Sequence, residues 1–200
     1  MTTNFILASS NTAGLGIVHS TSIYKNISNR TMIIPILNYS YKNFTIKGIN
    51  VAYQLNDSFY ILATPRFSDY KKDTIELGLE LNKKLGKYNL KSNVLFDILD
   101  KHNGFVSQVS LSRTYIKIPF IITPLAGLEY QSENFTNYYY EINDSLLNPF
   151  IGLYSILKIN KNLSLNMILK NSFLNDNILK SNVVDKKTKQ TLILGFTYKW

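Results

Sequence analysis

The last ten residues of the chain, 191–200, alternate between two kinds of side chain. One face of this segment would carry apolar and aromatic residues and the other mostly small or polar ones: Leu192, Leu194, Phe196, Tyr198 and Trp200 against Thr191, Ile193, Gly195, Thr197 and Lys199. A period of two predicts a β-strand. An apolar stripe that ends on an aromatic residue is typical of the strand that closes an outer-membrane β-barrel. The last strand of a soluble β-sandwich is the alternative, because it would alternate too.

The length and the composition fit one barrel domain without a membrane-spanning helix. We expect all 200 residues, 1–200, to form a single domain. The longest nearly apolar run, residues 118–128, is broken by Pro119 and Pro124. It is shorter than the roughly 18–20 residues that a helix needs to cross a bilayer. A barrel crosses instead with alternating segments of about ten residues.

Charge, cysteine content and the N-terminal residues narrow the possibilities further. The net charge is +9, but the basic residues are scattered, so no nucleic-acid partner is expected. The chain has no cysteine, which excludes disulfides and thiolate chemistry. Residues 1–12 are expected to be a poorly defined segment that lacks the basic and apolar regions of a signal peptide. If the protein is exported, its signal peptide is missing from this sequence.

Alternating segments recur along nearly the whole chain and are separated by turn residues. Strands are predicted at 14–19, 31–41, 44–55 with a break at 47–48, 59–68, 75–83, 88–98, 105–114, 117–130, 149–159, 163–173 and 191–200. Asn, Thr, Tyr and Ile are frequent in positions where a helix would favour Ala and Glu. The fold class is therefore predicted to be all-β.

The lengths of the connections predict the number of strands. Short turns fall near 41–43, 56–58, 85–87, 114–116 and 160–162, and longer loops near 20–30, 68–74, 98–104, 131–147 and 174–187. In outer-membrane barrels, short periplasmic turns alternate with longer outer loops. The short turns at 41–43 and 56–58 follow one another without a longer loop between them. They fit this rule only if the chain also reverses at Lys47 and Gly48. This reversal predicts an antiparallel transmembrane β-barrel of 12 strands with both ends in the periplasm; ten strands are the alternative.

Aromatic residues are predicted to form two belts, as expected where rings lie at the two membrane–water interfaces. The belt at the short-turn end would contain Tyr39, Tyr41, Phe44, Tyr53, Phe59, Tyr88, Tyr115, Tyr198 and Trp200. The belt at the loop end would contain Phe67, Tyr70, Phe96, Phe105, Tyr130 and Phe150.

Strand parity also predicts an inward face that carries charges of both signs. The predicted lumen charges are Arg66, Glu76, Glu80, Lys91, Asp97, Glu129, Lys158 and Lys170. Opposite charges that face one lumen can pair, which offsets the cost of burying each of them alone. They would either brace a narrow barrel or line a water-filled pathway for small solutes, and both remain open.

Residues for catalysis or for cofactor binding are not evident. The two histidines, His19 and His102, fall at loop-side strand ends, and the pair His19 and Ser20 invites comparison with an outer-membrane serine lipase. No orienting acid or oxyanion site accompanies that pair, however. Two histidines without cysteine or a carboxylate cluster do not predict a metal site. A Gly-rich phosphate loop is absent too, so we expect neither an enzyme nor a cofactor.

The order and spacing of several segments resemble the MipA/OmpV family of MltA-interacting outer-membrane proteins. The similarity spans residues 14–200 and rests on an opening Gly-Leu-Gly at 14–16, a Pro-x-x-x-Tyr strand at 35–39, a short strand at 44–48 that ends in Gly48, a strand at 75–79 and a tyrosine run at 138–140. The last strand matches a barrel assembly signal through Gly195, Tyr198 and Trp200. The long outer loop of the family is cut here to residues 68–74.

The resemblance implies a non-enzymatic integral protein of the outer membrane of a Gram-negative bacterium. In this family, a barrel is expected to act as a scaffold in peptidoglycan biosynthesis that links a lytic transglycosylase to a murein synthase. Further expected partners are outer-membrane lipid, lipopolysaccharide and the barrel assembly machinery. A porin-like channel for small solutes is one alternative function. A surface adhesin that acts through the loops at 131–148 and 174–188 is another.

Overall fold

The computed structural model describes residues 11–200, which contain thirteen β-strands, one α-helix and one short 3-10 helix. The strands are β1 Thr12–Ser20, β2 Arg30–Tyr41, β3 Phe44–Gly48, β4 Asn50–Gln54, β5 Phe59–Arg66, β6 Thr74–Leu85, β7 Tyr88–Asp97, β8 Phe105–Ser112, β9 Tyr115–Lys117, β10 Phe120–Gln131, β11 Leu146–Lys158, β12 Leu163–Phe173 and β13 Thr188–Lys199. The α-helix, α1, spans Glu133–Tyr140, and the 3-10 helix spans Asp176–Lys180. Most of the predicted segment 1–12 lies outside the described residues.

The sheet closes on itself as an antiparallel barrel. The first and last strands pair along their whole length, from Thr12 opposite Lys199 to Ser20 opposite Thr191. Strands β8 and β9 form one barrel strand, because both pair with β10 in the same register, Ser112 opposite Leu125 and Tyr115 opposite Ile122. The barrel therefore has twelve strands, which confirms the predicted fold class and strand count.

The reversal that the turn lengths required is present at the predicted place. Strand β3 ends at Gly48, β4 begins at Asn50, and Lys47 pairs with Asn50 across a tight turn. Gly48 has a φ angle of +65°, in the left-handed region that favours glycine. This short hairpin lets the two adjacent short turns lie at the same end of the barrel.

One predicted turn is wrong. The chain does not reverse at 114–116, and the strand continues to Lys117 before it turns at Ile118 and Pro119. The ladder is interrupted opposite Pro124, which has no N–H to donate, although the Arg113 amide still donates to the Pro124 carbonyl at 3.2 Å. The polar pair Arg113 and Thr114 therefore resembled a turn in the sequence but lies within a strand.

The predicted polar loop at 131–148 contains the helix α1, which the sequence did not indicate. Its residues are mostly Asn and Tyr, which are weak helix formers. Phe135, Thr136, Tyr139 and Tyr140 are buried, so tertiary packing stabilises this two-turn helix rather than its intrinsic propensity. Neither helix within residues 11–200 is long and apolar enough to cross a membrane.

The outward face of the barrel is apolar along its height. Alternate residues of β1 and β13, among them Leu15, Ile17, Leu194, Phe196 and Tyr198, are exposed, while their neighbours in sequence face the lumen. All nine aromatic residues predicted at the short-turn end are exposed. At the loop end two predictions are wrong. Phe150 is only 5% exposed and packs inside the barrel beneath the Lys170 ammonium. Tyr70 packs on the buried Tyr24 ring in the mouth of the barrel instead of joining the outward belt.

Candidate functional site

The loop end of the lumen is closed by a small hydrophobic core, which we call the outer plug. It combines residues from the loop after β1, from α1 and its flanks, from the loop between β12 and β13, and from the loop-side ends of β8 and β11. Its buried members are Ile23, Tyr24, Val106, Phe135, Tyr139, Tyr140, Ile142, Leu146, Leu174, Ile178 and Val184. Loops that are far apart in the sequence thus share one core across the mouth of the barrel.

Specific contacts tie the loops of the outer plug to one another. The Tyr24 ring lies 5.0 Å from the Tyr70 ring, and the Tyr24 backbone forms a β-bridge with Val184. The Tyr70 hydroxyl donates to Glu141 at 2.9 Å. Because Tyr70 belongs to the β5–β6 loop and Glu141 follows α1, these contacts span the mouth from one side of the barrel to the other.

The buried phenols of the outer plug are expected to resist ionisation. Burial raises the pKa of Tyr24, Tyr139 and Tyr140 well above its usual range, and nearby phenols and the Asp69 carboxylate raise the pKa of Tyr24 further. Because the pKa of these phenols is higher in the folded protein than in the unfolded chain, folding favours their protonated form. Their contribution to the stability of the outer plug is therefore complete below a pH of about 10, the ordinary tyrosine pKa, and is lost as the pH rises above it. Absorbance titration at alkaline pH should therefore show a fraction of the 14 tyrosines ionising late, together with loosening of the plug. A single titration step at the ordinary pKa would contradict this expectation.

Beneath the outer plug lies a layer of paired charges. Arg66 faces Glu76 with two bonds, Nε to Oε1 at 2.5 Å and Nη2 to Oε2 at 2.9 Å. The Nε2 atom of His102 is 3.4 Å from the same Glu76 Oε1, and the Arg66 guanidinium lies 4.9 Å from the centre of the Phe135 ring. This cluster links the wall of the barrel to helix α1, because Phe135 belongs to the helix.

The structure brings most of the other predicted lumen charges together in pairs. Lys170 Nζ lies 3.5 Å from Glu129 Oε2, and Glu129 also accepts a bond from Gln131 at 2.7 Å. Lys91 Nζ lies 2.9 Å from Glu80 Oε2. Asp97 instead accepts hydrogen bonds from Thr74 and from backbone amides of the following loop, such as that of His102 at 2.7 Å.

Sequence reasoning missed several interior groups. Lys47 and Lys189 face the lumen, as do Asn38 and Ser172, the residues opposite them on the neighbouring strands. Strand parity could have predicted that both lysines face inward. His102 is buried against Glu76 and three aromatic rings, which no local pattern could indicate. His19 faces outward and bonds Thr31 at 2.9 Å, whereas Ser20 faces inward, so this pair cannot act as a catalytic dyad.

Within residues 11–200, the short-turn end of the lumen contains a cavity of about 1130 Å³, which we call the inner cavity. Its wall combines many Asn, Ser and Thr side chains with a set of aliphatic ones: Ile34, Ile36, Leu125, Ile156, Ile168 and Ile193. Its charged lining residues are five lysines, Lys47, Lys91, Lys158, Lys161 and Lys199, and one acid, Glu80. Lys158, the remaining predicted lumen charge, thus lies at the opposite end of the lumen from the Arg66–Glu76 pair, in the same cavity as the Lys91–Glu80 pair.

The strand seam next to the inner cavity depends on small residues. Gly16 lies directly opposite Gly195 where β1 meets β13. A Cβ on Gly195 would lie 2.4 Å from the Ile36 Cδ1 atom, so Ile36 occupies the space that the two glycines leave. Tyr198 and Trp200, the other two residues of the predicted assembly signal, are exposed on the outer surface.

A closed twelve-stranded barrel with an apolar outside and a charged inside is an integral outer-membrane β-barrel protein. The model of the family "MltA-interacting protein MipA" matches residues 13–200. The chain belongs to this family, which confirms the resemblance seen in the sequence.

Individual relatives agree with the family and with the location. The "MltA-interacting protein" of Escherichia coli (strain K12) is 26% identical over 222 residues, which cover 94% of this chain and 88% of that protein. "Outer membrane protein OmpV" of Vibrio cholerae is 27% identical over 99 residues, 50% of this chain and 37% of that protein. The solved NanC porin structure has a TM-score of 0.53 at 12% identity and covers 93% of this chain and 100% of its own, which supports the fold.

Proposed function

We propose that this barrel is a non-enzymatic scaffold that holds cell-wall enzymes, a lytic transglycosylase and a peptidoglycan synthase, at the periplasmic face of the outer membrane. The observation that carries the proposal is the outer plug. Because loops from around the barrel share one core across the outer mouth, the lumen is blocked on that side. This arrangement favours a protein that works from its periplasmic side over a channel for small solutes.

The short-turn end offers a surface suited to a protein partner. Its tips carry exposed apolar residues, of which Ile118 is 80% exposed. They also carry exposed lysines, Lys42, Lys87 and Lys117, and a single exposed acid, Asp57. Exposed apolar side chains surrounded by positive charges fit a partner with an apolar patch and an acidic rim. The relative from Escherichia coli, whose name states an interaction with MltA, supports a lytic transglycosylase as that partner.

The direct test measures binding of a purified lytic transglycosylase of the same organism to the full chain in lipid nanodiscs. We expect saturable binding that weakens at least about tenfold when Lys42, Lys87 and Lys117 are all changed to Glu, because like charges across an interface cost several kcal/mol. The matched control carries Lys72→Glu, Lys180→Glu and Lys186→Glu. These three lysines are also exposed, but they lie in the outer loops. Equal weakening in both triple variants, or no binding by the wild type, would refute the proposal.

A scaffold must hold two partners together. Adding a peptidoglycan synthase to the bound transglycosylase should give a ternary complex, measured as a further mass increase on the same nanodisc. Displacement of one enzyme by the other would show a single shared site and contradict a scaffold.

The remaining contacts that we propose concern the membrane. The lysines of the outer loops, such as Lys72, Lys180 and Lys186, are exposed, and we propose that they meet lipopolysaccharide phosphates. Gly195, Tyr198 and Trp200 are proposed to serve recognition by the barrel assembly machinery.

A further inference from the structure

The wall of the barrel has a gap on one side. Strand β2 pairs with β1 from Arg30 to Asn38 but with β3 only from Leu37 to Tyr41. Strand β5 pairs with β4 only from Tyr60 to Ala63. Within the described residues, 30–36 of β2 and 64–66 of β5 thus have a hydrogen-bonded strand on one side only, because the β3–β4 hairpin is too short to fill the wall between them. We call this opening the wall gap.

Proline placement is consistent with two free strand edges. Pro35 lies in the unpaired part of β2, and Pro65 lies in the unpaired part of β5. Proline is confined to strand edges because it has no N–H to donate to a neighbouring strand. At a free edge, a proline therefore leaves one backbone donor fewer without a partner. At the loop end, the gap is bounded by the Arg30 guanidinium, which donates to the Ser68 carbonyl at 2.7 Å. Toward the short-turn end, it is bounded by the β3–β4 turn at Gly48.

The inner cavity extends from the periplasmic mouth to the wall gap. Its lining includes Ile34 and Ile36 from one edge of the gap, and Gly48, Ile49 and Asn50 from the hairpin below it. The aliphatic surface within this otherwise polar lining reaches an opening in a membrane-embedded wall, where it is suited to a hydrocarbon chain. A fully polar solute would leave this surface without apolar contacts.

The mouth of the inner cavity is positively charged. Lys158, Lys161 and Lys199 lie close together there, because Lys158 and Lys161 flank the β11–β12 turn and the Lys199 amide bonds the Asn162 carbonyl at 2.8 Å. Among the lining residues that the structure describes, Glu80 is the only acid, and it is paired with Lys91. In residues 11–200 no carboxylate lies within salt-bridge distance of the three mouth lysines, so their charges are available to an anion.

We propose that the inner cavity binds an anionic single-chain amphiphile. Its carboxylate or phosphate head would pair with Lys158, Lys161 and Lys199 at the mouth. Its acyl chain would lie along Ile36, Ile168 and Ile193 and reach toward the wall gap. The acyl part of this site lies inside the lumen, although its mouth shares Ile118 and the β11–β12 turn with the periplasmic turn surface. The proposal therefore adds a ligand to the barrel rather than restating the scaffold.

A series of ligands with one chain length and different heads tests the proposal. The full chain in nanodiscs is titrated with a dansylated undecanoic acid, and competitors are then added: dodecanoate, dodecyl phosphate, dodecyl maltoside and dodecyltrimethylammonium. Both anions should displace the probe, and the tighter of the two identifies the head group. Shortening the anion from twelve to eight carbons should weaken displacement. Equal displacement by the neutral or cationic amphiphile, or no probe binding at all, would overturn the proposal.

A pair of variants locates the site. Lys158→Gln together with Lys199→Gln should weaken probe binding about tenfold, since bonds to charged groups are the stronger ones. The matched control, Lys42→Gln with Lys87→Gln, removes the same charge from turn lysines that do not line the cavity. Equal weakening in both variants would place the probe elsewhere. If the first variant does not fold, the competitor series with the wild type still decides the question.

Discussion

Replacing Gly14 with alanine is expected to be among the most damaging single substitutions in this barrel. Gly14 faces the lumen in β1, at the seam where the first and last strands close the sheet. A Cβ built on Gly14 would lie 1.8 Å from the Phe196 carbonyl oxygen, which is backbone and cannot rotate away. We expect a loss of stability at or above the top of the range of about 1–3 kcal/mol that overpacking costs, together with less heat-modifiable barrel on gels.

The matched control for this seam is the same substitution two residues along the same strand. A Cβ on Gly16 would meet the flexible end of Ile36 at 2.8 Å and the Leu194 carbonyl at 3.2 Å. Because Ile36 can adjust, Gly16→Ala should cost well under half as much as Gly14→Ala. Urea unfolding in lipid vesicles, followed through the fluorescence of Trp200, the only tryptophan, measures both. Equal stability of the two variants would contradict the close approach at Gly14.

Changing Glu76 to Gln is expected to have the second large effect. Glu76 is only 1% exposed and holds both Arg66 and His102. Its neutralisation would leave the Arg66 charge largely uncompensated beneath the outer plug. Removing one partner of a buried pair costs about 3–5 kcal/mol, and we expect a value near the lower end because the Arg66 side chain retains some access to water. The plug should also become sensitive to protease, since Phe135 packs on this pair.

Glu80→Gln is the control for that experiment. It lies on the same strand and face, but its partner Lys91 has a side chain that is 48% exposed, so water screens the pair. Its loss should cost at most about 1 kcal/mol. The double variant Arg66→Met with Glu76→Leu should recover much of the loss, because an apolar pair leaves no buried charge. Equal effects at Glu76 and Glu80 would mean that the layer beneath the plug is solvated.

The barrel could be predicted from the sequence because its determinants are local. A strand period of two separates inward from outward residues, and Gly48 with its neighbours marks the extra reversal within a few residues. The sequence predicted a turn at 114–116, whereas the chain turns at Ile118, and the reason for this error is local too. Arg113 and Thr114 are polar like turn residues, but they lie inside a barrel strand, where Pro124 interrupts only the hydrogen-bond ladder.

The outer plug and the pairing of the charges could not be predicted, because they depend on contacts between distant segments. Tyr24 meets Val184, and Glu129 meets Lys170 across an intervening strand. Helix α1 has low intrinsic propensity and exists where Phe135 and Tyr139 find a core made by other loops. Strand parity assigns a face to each charge but gives neither its partner nor its depth in the barrel.

The most direct test of the proposed scaffold is site-specific photocrosslinking in living cells. A photoreactive amino acid replaces one residue at a time, either in the periplasmic turns, at Lys87 or Ile118, or in the outer loops, at Lys72 or Lys186. A lytic transglycosylase should be crosslinked from the turn positions and not from the loop positions. Crosslinks from the loop positions, or none from either turn, would contradict a barrel that is closed on the outside and works from its periplasmic side.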